Sequence, residues 1–133
     1  MPSSDYFFID FFMQPESSAT IRPRATLDLA AIGNCTVSAL IDPEGRIVWS
    51  CMPRFDSPPV FDALLRSADG LPRGGSMTVE LDDMARVEQA YDPGTAIVRT
   101  QLWDRSGNGI ELTDFAPRFQ IRERLFRPAQ LVR

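Results

Sequence analysis

From Leu27 onward, apolar and polar positions mostly alternate with the two-residue period of β-strands. Thr36 to Ile41 reads as one strand and Arg46 to Trp49 as its return. Between them lies Asp42-Pro43-Glu44-Gly45, with a proline where φ is preset and a glycine where positive φ is cheap. A hairpin closed by this four-residue turn sets Ile41 opposite Arg46, Cys35 opposite Met52 and Cys51 opposite Thr36. Met52 to Pro59 carries Pro53, Pro58 and Pro59, so it is an irregular arm rather than an interior strand. Phe61, Leu64 and Leu65 then fall at i, i+3 and i+4, which predicts one short helix after Pro59. Ser67 to Ser76 is a glycine-rich loop.

The second half repeats the strand pattern. Met77 to Leu81 reads as a strand by alternation, and Arg86 to Tyr91 as another, ending at Asp92-Pro93-Gly94. Thr95 to Trp103 sets Ile97, Arg99, Gln101 and Trp103 against Ala96, Val98, Thr100 and Leu102. A tight Asp104-to-Gly109 turn leads to a partner strand over Ile110 to Phe115, and Phe119 to Val132 adds one more edge strand. Short strands separated by Gly, Pro and Asp turns predict an all-β fold. The expected architecture is an antiparallel β-sandwich with at most one or two short helices. The sandwich is expected over residues 27–133, with residues 1–26 as an N-terminal extension and linker. That extension carries the aromatic cluster Phe7, Phe8, Phe11 and Phe12.

Composition narrows the function classes. A chain of 133 residues, 44% hydrophobic and with a net charge of −4, is one domain with an ordinary core. The negative charge speaks against a general nucleic-acid partner. No stretch approaches the length of a bilayer-spanning helix, no basic segment opens a signal peptide, and the expected location is cytoplasmic. Every basic residue is arginine and histidine is absent, so a Ser-His-Asp or Cys-His site cannot be assembled from this chain alone. Two cysteines are too few for a disulfide framework, and both are expected reduced and packed.

Few residues offer chemistry. Arg54-Phe55-Asp56-Ser57 sets a guanidinium fork beside a carboxylate and a hydroxyl, a set suited to sugar hydroxyls or phosphate. The same residues also suit a purely structural part. Arg54 and Asp56 would tie down the proline-bounded loop while Phe55 and Phe61 fill the core. A third use is the seam with a second domain. Asp82 and Asp83 are adjacent and point apart, and Glu111 and Asp114 emerge on opposite faces of one strand, so neither pair is a catalytic acid and base. The Asp104-to-Gly109 segment lacks the spacing of a calcium loop and reads as a hairpin turn. Trp49 and Trp103 fit either a core or a sugar-stacking platform. No catalytic residue, metal ligand or cofactor site is assigned.

Several segments occur in an order that resembles one family. They are Ile32-Gly33-Asn34, Ala39 to Asp42, Gly45 to Trp49, Cys51, Pro53 to Ser57 and Phe61. Tyr91, Thr95 to Thr100, Thr113 to Arg118 and Arg127 to Arg133 follow. From Leu27 to Arg133 the chain is similar to the N-terminal domain of bacterial family 15 glycoside hydrolases, the glucoamylase and trehalase-like enzymes. The resemblance implies a non-catalytic β-sandwich that packs on an (α/α)6 barrel. That barrel carries the two glutamates that hydrolyse an α-glucosidic bond with inversion. It also implies that Arg54, Phe55 and Asp56 lie at the domain seam, with an α-glucoside such as trehalose nearby, and that this chain alone is inactive. The competing expectation is a stand-alone carbohydrate-binding or assembly module that uses an exposed aromatic face, with Phe7–Phe12 as a dimer contact; in the absence of the barrel, apolar surface meant for it is also expected to drive homo-oligomers.

Overall fold

A computed structural model describes residues 27–65 and 75–133. The expected N-terminal extension and the centre of the glycine-rich loop lie outside the described residues. Among the described residues nine short strands form three antiparallel sheets, and there is no helix. The first sheet runs β1 (Ala30–Gly33), β2 (Ser38–Ile41), β3 (Ile47–Cys51) and β4 (Pro59–Phe61) in that order. The second runs β5 (Met84–Tyr91), β6 (Val98–Asp104) and β7 (Gly109–Asp114). A two-stranded ribbon, β8 (Phe119–Ile121) and β9 (Arg124–Phe126), completes the all-β fold.

The core forms where inward positions of the first two sheets meet. Ala30, Ile32, Ala39, Ile41 and Ile47 of the first sheet pack with Val98 of the second, and Phe61, Met77 and Leu131 close around them. Along β6 the alternation is strict: Val98, Thr100 and Leu102 are fully buried, while Arg99 between them is exposed. The two-residue period therefore decides which side chains fill the interior.

The Asp42–Gly45 turn is a structural joint. Asp42 is buried; its Oδ1 accepts from the amides of Glu44 and Arg46, and its Oδ2 accepts from Arg46 Nε at 2.6 Å. Gly45 has φ +80°, and a Cβ there would lie 3.0 Å from Thr100 Cγ2 and 3.3 Å from Leu112 Cδ1. The turn is pressed against the second sheet at the one residue that has no side chain. Gln89 completes the joint, donating to Asp42 O at 2.9 Å and to Thr100 Oγ1 at 3.0 Å.

Two further clasps hold the sheets. Asn34 is buried, and its amide donates to the carbonyls of Pro117 and Pro128, both at 2.8 Å. Its oxygen accepts from the amides of Thr36 and Val37. One side chain thus ties the β1–β2 turn to both ends of the β8–β9 ribbon. Arg133 forms a fork on buried Asp114 at 2.8 and 3.0 Å and also donates to Gly45 O at 2.6 Å. Phe115 and Val132 pair beside it. At the edge of β1 that pairs with no strand among the described residues, the Tyr91 hydroxyl accepts from Ala31 N at 2.7 Å and donates to Ala31 O at 3.0 Å.

Several expectations from the sequence are corrected. Phe61, Leu64 and Leu65 do not start a helix: Pro59–Phe61 pairs with β3, and 63–65 form a turn whose Leu64 amide donates to Val48 O. The free edge of β3 supplies hydrogen-bond partners that the weak helical spacing cannot match. Pro59 lies on an edge strand, where a missing amide is tolerated. Met77 to Leu81 is not a strand; only Met77 pairs, with Ile47. Further along β3 that edge is already taken by β4. Phe119 to Val132 is a ribbon rather than one strand, because Arg122 and Glu123 turn the chain at φ +45° and +66°.

The first hairpin is also shifted from the simple register. Ile41 faces Ile47, Leu40 faces Trp49 and Ser38 faces Cys51, with an irregularity between Leu40 and Ile41. The Asp42 carboxylate holds Arg46 within the turn, and Val48 becomes the extra residue. Both cysteines are free, as expected, but only Cys51 is packed; Cys35 is exposed at φ +71° outside the strand.

Asp114 is a buried carboxylate, and removing its partner leaves a charge without compensation, at a cost of about 3–5 kcal/mol. Arg133→Ala is expected to lower the unfolding free energy by about that amount in urea titrations. Arg99→Ala, on the solvent side of the same sheet, is expected to change it little. Equal effects of the two substitutions would show that the buried pair is not what closes the sandwich.

Candidate functional site

The arm between β3 and β4 carries the three residues singled out by the sequence. Its entry is the cis Met52–Pro53 peptide. Arg54 and Asp56 face each other in a two-pronged pair, Nε to Oδ1 and Nη2 to Oδ2, each at 2.8 Å. Ser57 closes the loop beneath them: its amide donates to Arg54 O at 3.0 Å, and its hydroxyl accepts from Arg54 N at 3.3 Å. Both charged side chains remain more than half exposed. The hydrogen bond from Arg54 holds the Asp56 carboxyl below the ordinary aspartate range, slightly opposed by desolvation.

The pair therefore ties down the loop, one of the uses open to it from the sequence. Phe55 does not join Phe61 in the core. Phe61 packs inward, whereas Phe55 is 61% exposed at the tip of the arm. The reason is local: the Phe55 amide donates to Thr36 O at 2.8 Å, while the Arg54–Asp56 fork braces the residues on either side. A rigid loop thus presents an aromatic ring to its surroundings.

The β1–β2 turn also anchors a second exposed apolar element, the β8–β9 ribbon. Phe55 is tied to Thr36, and the β8–β9 ribbon is tied at Pro117 and Pro128 to Asn34. On the ribbon Phe119 stacks on Phe126 with centroids 5.6 Å apart, yet both rings and Ile121 stay exposed. Sequence reasoning selected Arg54, Phe55 and Asp56 but missed the part played by Asn34. The signal available for it was a buried-type amide directly after a strand and before a tight turn.

Three further carboxylates on the second sheet and its turns are engaged. Glu111 accepts from Gln101 at 2.8 Å and from Arg99 at 2.5 Å, and these bonds, Gln101's first, hold it below the usual glutamate range. Asp92 binds the same guanidinium through two contacts and is lowered too. Asp104 is lowered chiefly by the Asn108 side chain, within the hairpin turn expected there. A general acid needs the opposite shift, upward toward neutrality. Glu111 faces solvent and Asp114 the interior, on opposite sides of β7 as the alternation required. Among the described residues, no three His, Cys, Asp or Glu side chains come together as a metal site. Among the same residues no helix is long and apolar enough to cross a membrane.

The described residues thus form an antiparallel β-sandwich whose loops are braced by side-chain hydrogen bonds. Residues 16–127 match the family described as trehalase-like, N-terminal, and the chain belongs to that family. It is 35% identical over 80 residues to the trehalase of Mycobacterium tuberculosis, covering 60% of this chain and 11% of that protein. It is 37% identical over 91 residues to trehalase 1 of Sulfolobus acidocaldarius, covering 67% of this chain and 15% of that protein. The chain thus corresponds to a small part of each relative's length. No solved structure matches it.

The depressed Asp56 carboxyl gives a direct test of the arm. Its folded-state pKa lies below the unfolded value, so the brace is complete above the unfolded value. It is lost as pH falls through the lower, folded one. Carboxyl-detected NMR is expected to show Asp56 titrating below an ordinary aspartate, and Arg54→Ala is expected to bring it back up. An unchanged midpoint in the variant would remove Arg54 as the cause.

Proposed function

We propose that this chain is the non-catalytic N-terminal β-sandwich domain of an inverting α-glucosidic hydrolase, trehalase or glucoamylase-like. In this reading residues 27–133 form the domain and residues 1–26 an extension before it. It packs on a separate catalytic (α/α)6 barrel within a cytoplasmic enzyme of family 15 type. The Arg54-Phe55-Asp56 arm lies at the seam and helps to shape the mouth of the sugar site. The observation that carries the proposal is the exposed Phe55 on an arm hydrogen-bonded to Thr36 and braced by the Arg54–Asp56 pair. A braced aromatic ring has little conformational entropy left to lose on docking, and aromatic residues are favoured at the centres of protein contacts. Family membership and the trehalase relatives support the same reading. Without the barrel, these apolar faces are where copies of the domain associate.

The test uses the 133-residue chain and the full polypeptide encoded by its gene. The short chain is expected to release no glucose from trehalose or maltose, and the full polypeptide is expected to hydrolyse one of them. Phe55→Ala in the full polypeptide is expected to lower kcat/KM by about tenfold or more through loss of a central contact. Glucose release by the short chain, or a gene that stops directly after codon 133, would overturn the proposal.

A further inference from the structure

The hairpin between β6 and β7 holds a reactive pair of residues far from the chemistry discussed so far. Its tip runs Asp104-Arg105-Ser106-Gly107-Asn108-Gly109, and Asn108 and Gly109 are both exposed. The Asn108 carboxamide is tethered through its nitrogen to Asp104 Oδ2 at 3.0 Å. That bond lies at the surface, where water competes for both partners and a hydrogen bond contributes little net. The carboxamide is therefore free to turn. The other asparagine of the chain, Asn34, is the opposite case. It is 1% exposed, bonded through both ends of its amide and followed by a cysteine.

The ladder leaves the next backbone nitrogen open. The Asp104 amide donates to Asn108 O at 2.9 Å, which makes these two residues a hydrogen-bonded pair. Bonded and unbonded pairs alternate along an antiparallel ladder. Trp103 and Gly109, next in the register, are thus an unbonded pair, and the Gly109 N–H points away from β6. On that outer side β7 pairs with no strand among the described residues. Gly109 is also bare by necessity, because a Cβ there would sit 2.7 Å from Trp103 Cδ1 and 3.0 Å from Leu102 O. The packing that excludes a side chain also removes the hindrance a side chain would give to attack by this nitrogen.

We propose that Asn108–Gly109 is a site of spontaneous covalent modification, at which the hairpin converts one way into aspartate and isoaspartate forms. The Gly109 nitrogen gives its proton to water or hydroxide and bonds to Asn108 Cγ. The Cγ–Nδ2 bond breaks, and that nitrogen leaves as ammonia. A cyclic imide remains, and water opens it at either carbonyl. Opening at Cγ leaves ordinary aspartate. Opening at the main-chain carbonyl leaves isoaspartate, with the chain rerouted through the β-carbon. Nothing is oxidised or reduced. Aspartate sets a carboxylate where an amide now donates to Asp104 Oδ2. Isoaspartate turns the carbonyl that now accepts from the Asp104 amide into a carboxylate and lengthens the chain before Gly109. Either product brings like charges together at the end of β6 and loosens the hairpin there.

The test is to hold the folded 133-residue chain in neutral and in alkaline buffer and to map the products by peptide mass spectrometry. A gain of one dalton is expected at residue 108 and none at residue 34. The modified peptide is expected to separate into two species of equal mass, formed faster as pH rises because the attacking nitrogen must lose its proton. Asn108→Gln is expected to abolish the gain, since the ring would then need one more carbon. Asn108→Asp supplies the ordinary product directly. There, carboxyl-detected NMR is expected to show Asp104 titrating higher, because the Asn108 side chain is the chief cause of its present depression. A folded chain that gains no mass at residue 108, while the urea-unfolded chain does, would overturn the modification. An unmoved Asp104 midpoint in Asn108→Asp would overturn its effect on the turn.

Discussion

The buried carboxylate of Asp114 sets the terms for the rest of the fold. An ionised group in the interior is tolerated only with a full set of partners. Here the partner is Arg133, whose fork also reaches the carbonyl of Gly45 in the first hairpin turn. One guanidinium joins β7, the C-terminal segment and the tip of the first sheet. The Asp42–Gly45 turn is therefore held from two sides, by Arg133 and by the Gln89 amide. The turn in turn fixes the register of β2 and β3, and with it the side of the sheet on which Ile41 and Ile47 lie. A polar contact thus decides how the hydrophobic core is filled.

Asn34 plays the matching part at the other end. Four hydrogen bonds through one amide fix where the ribbon leaves the sandwich and where it returns. Phe55 hangs from the same turn through Thr36. The exposed apolar groups are therefore anchored to the core through this one turn. Left-handed backbone at non-glycine residues occurs at the ribbon's tip, at Arg122 and Glu123, and also at Cys35 and Asp83.

Much of this was legible in the chain, for stated reasons. The alternation over Thr95 to Trp103 marked a half-buried strand because the two faces of β6 meet different surroundings. The Asp-Pro-Glu-Gly turn was readable because φ preferences are local. The helix after Pro59 was misread because three apolar residues at helical spacing weigh less than an unpaired strand edge nearby. Phe55 was assigned two destinations from sequence, and only tertiary bracing by Thr36 separates them. Arg54 and Asp56 were recognisable as a pair from their spacing. Asn34 and Arg133 were visible only as elements of a family pattern, since their partners lie 83 and 19 residues away.

Tyr91 bears on a different property. An edge strand exposes donors and acceptors that can template another strand, and β1 is such an edge. At Ala31 the phenol takes both groups at once, as an incoming backbone would. The edge is thereby closed by a side chain that cannot propagate a ladder. Growth of one sandwich onto the next through this edge would first have to displace a two-point contact held by β5. A single hydroxyl thus occupies, at Ala31, the backbone groups that an added strand would use.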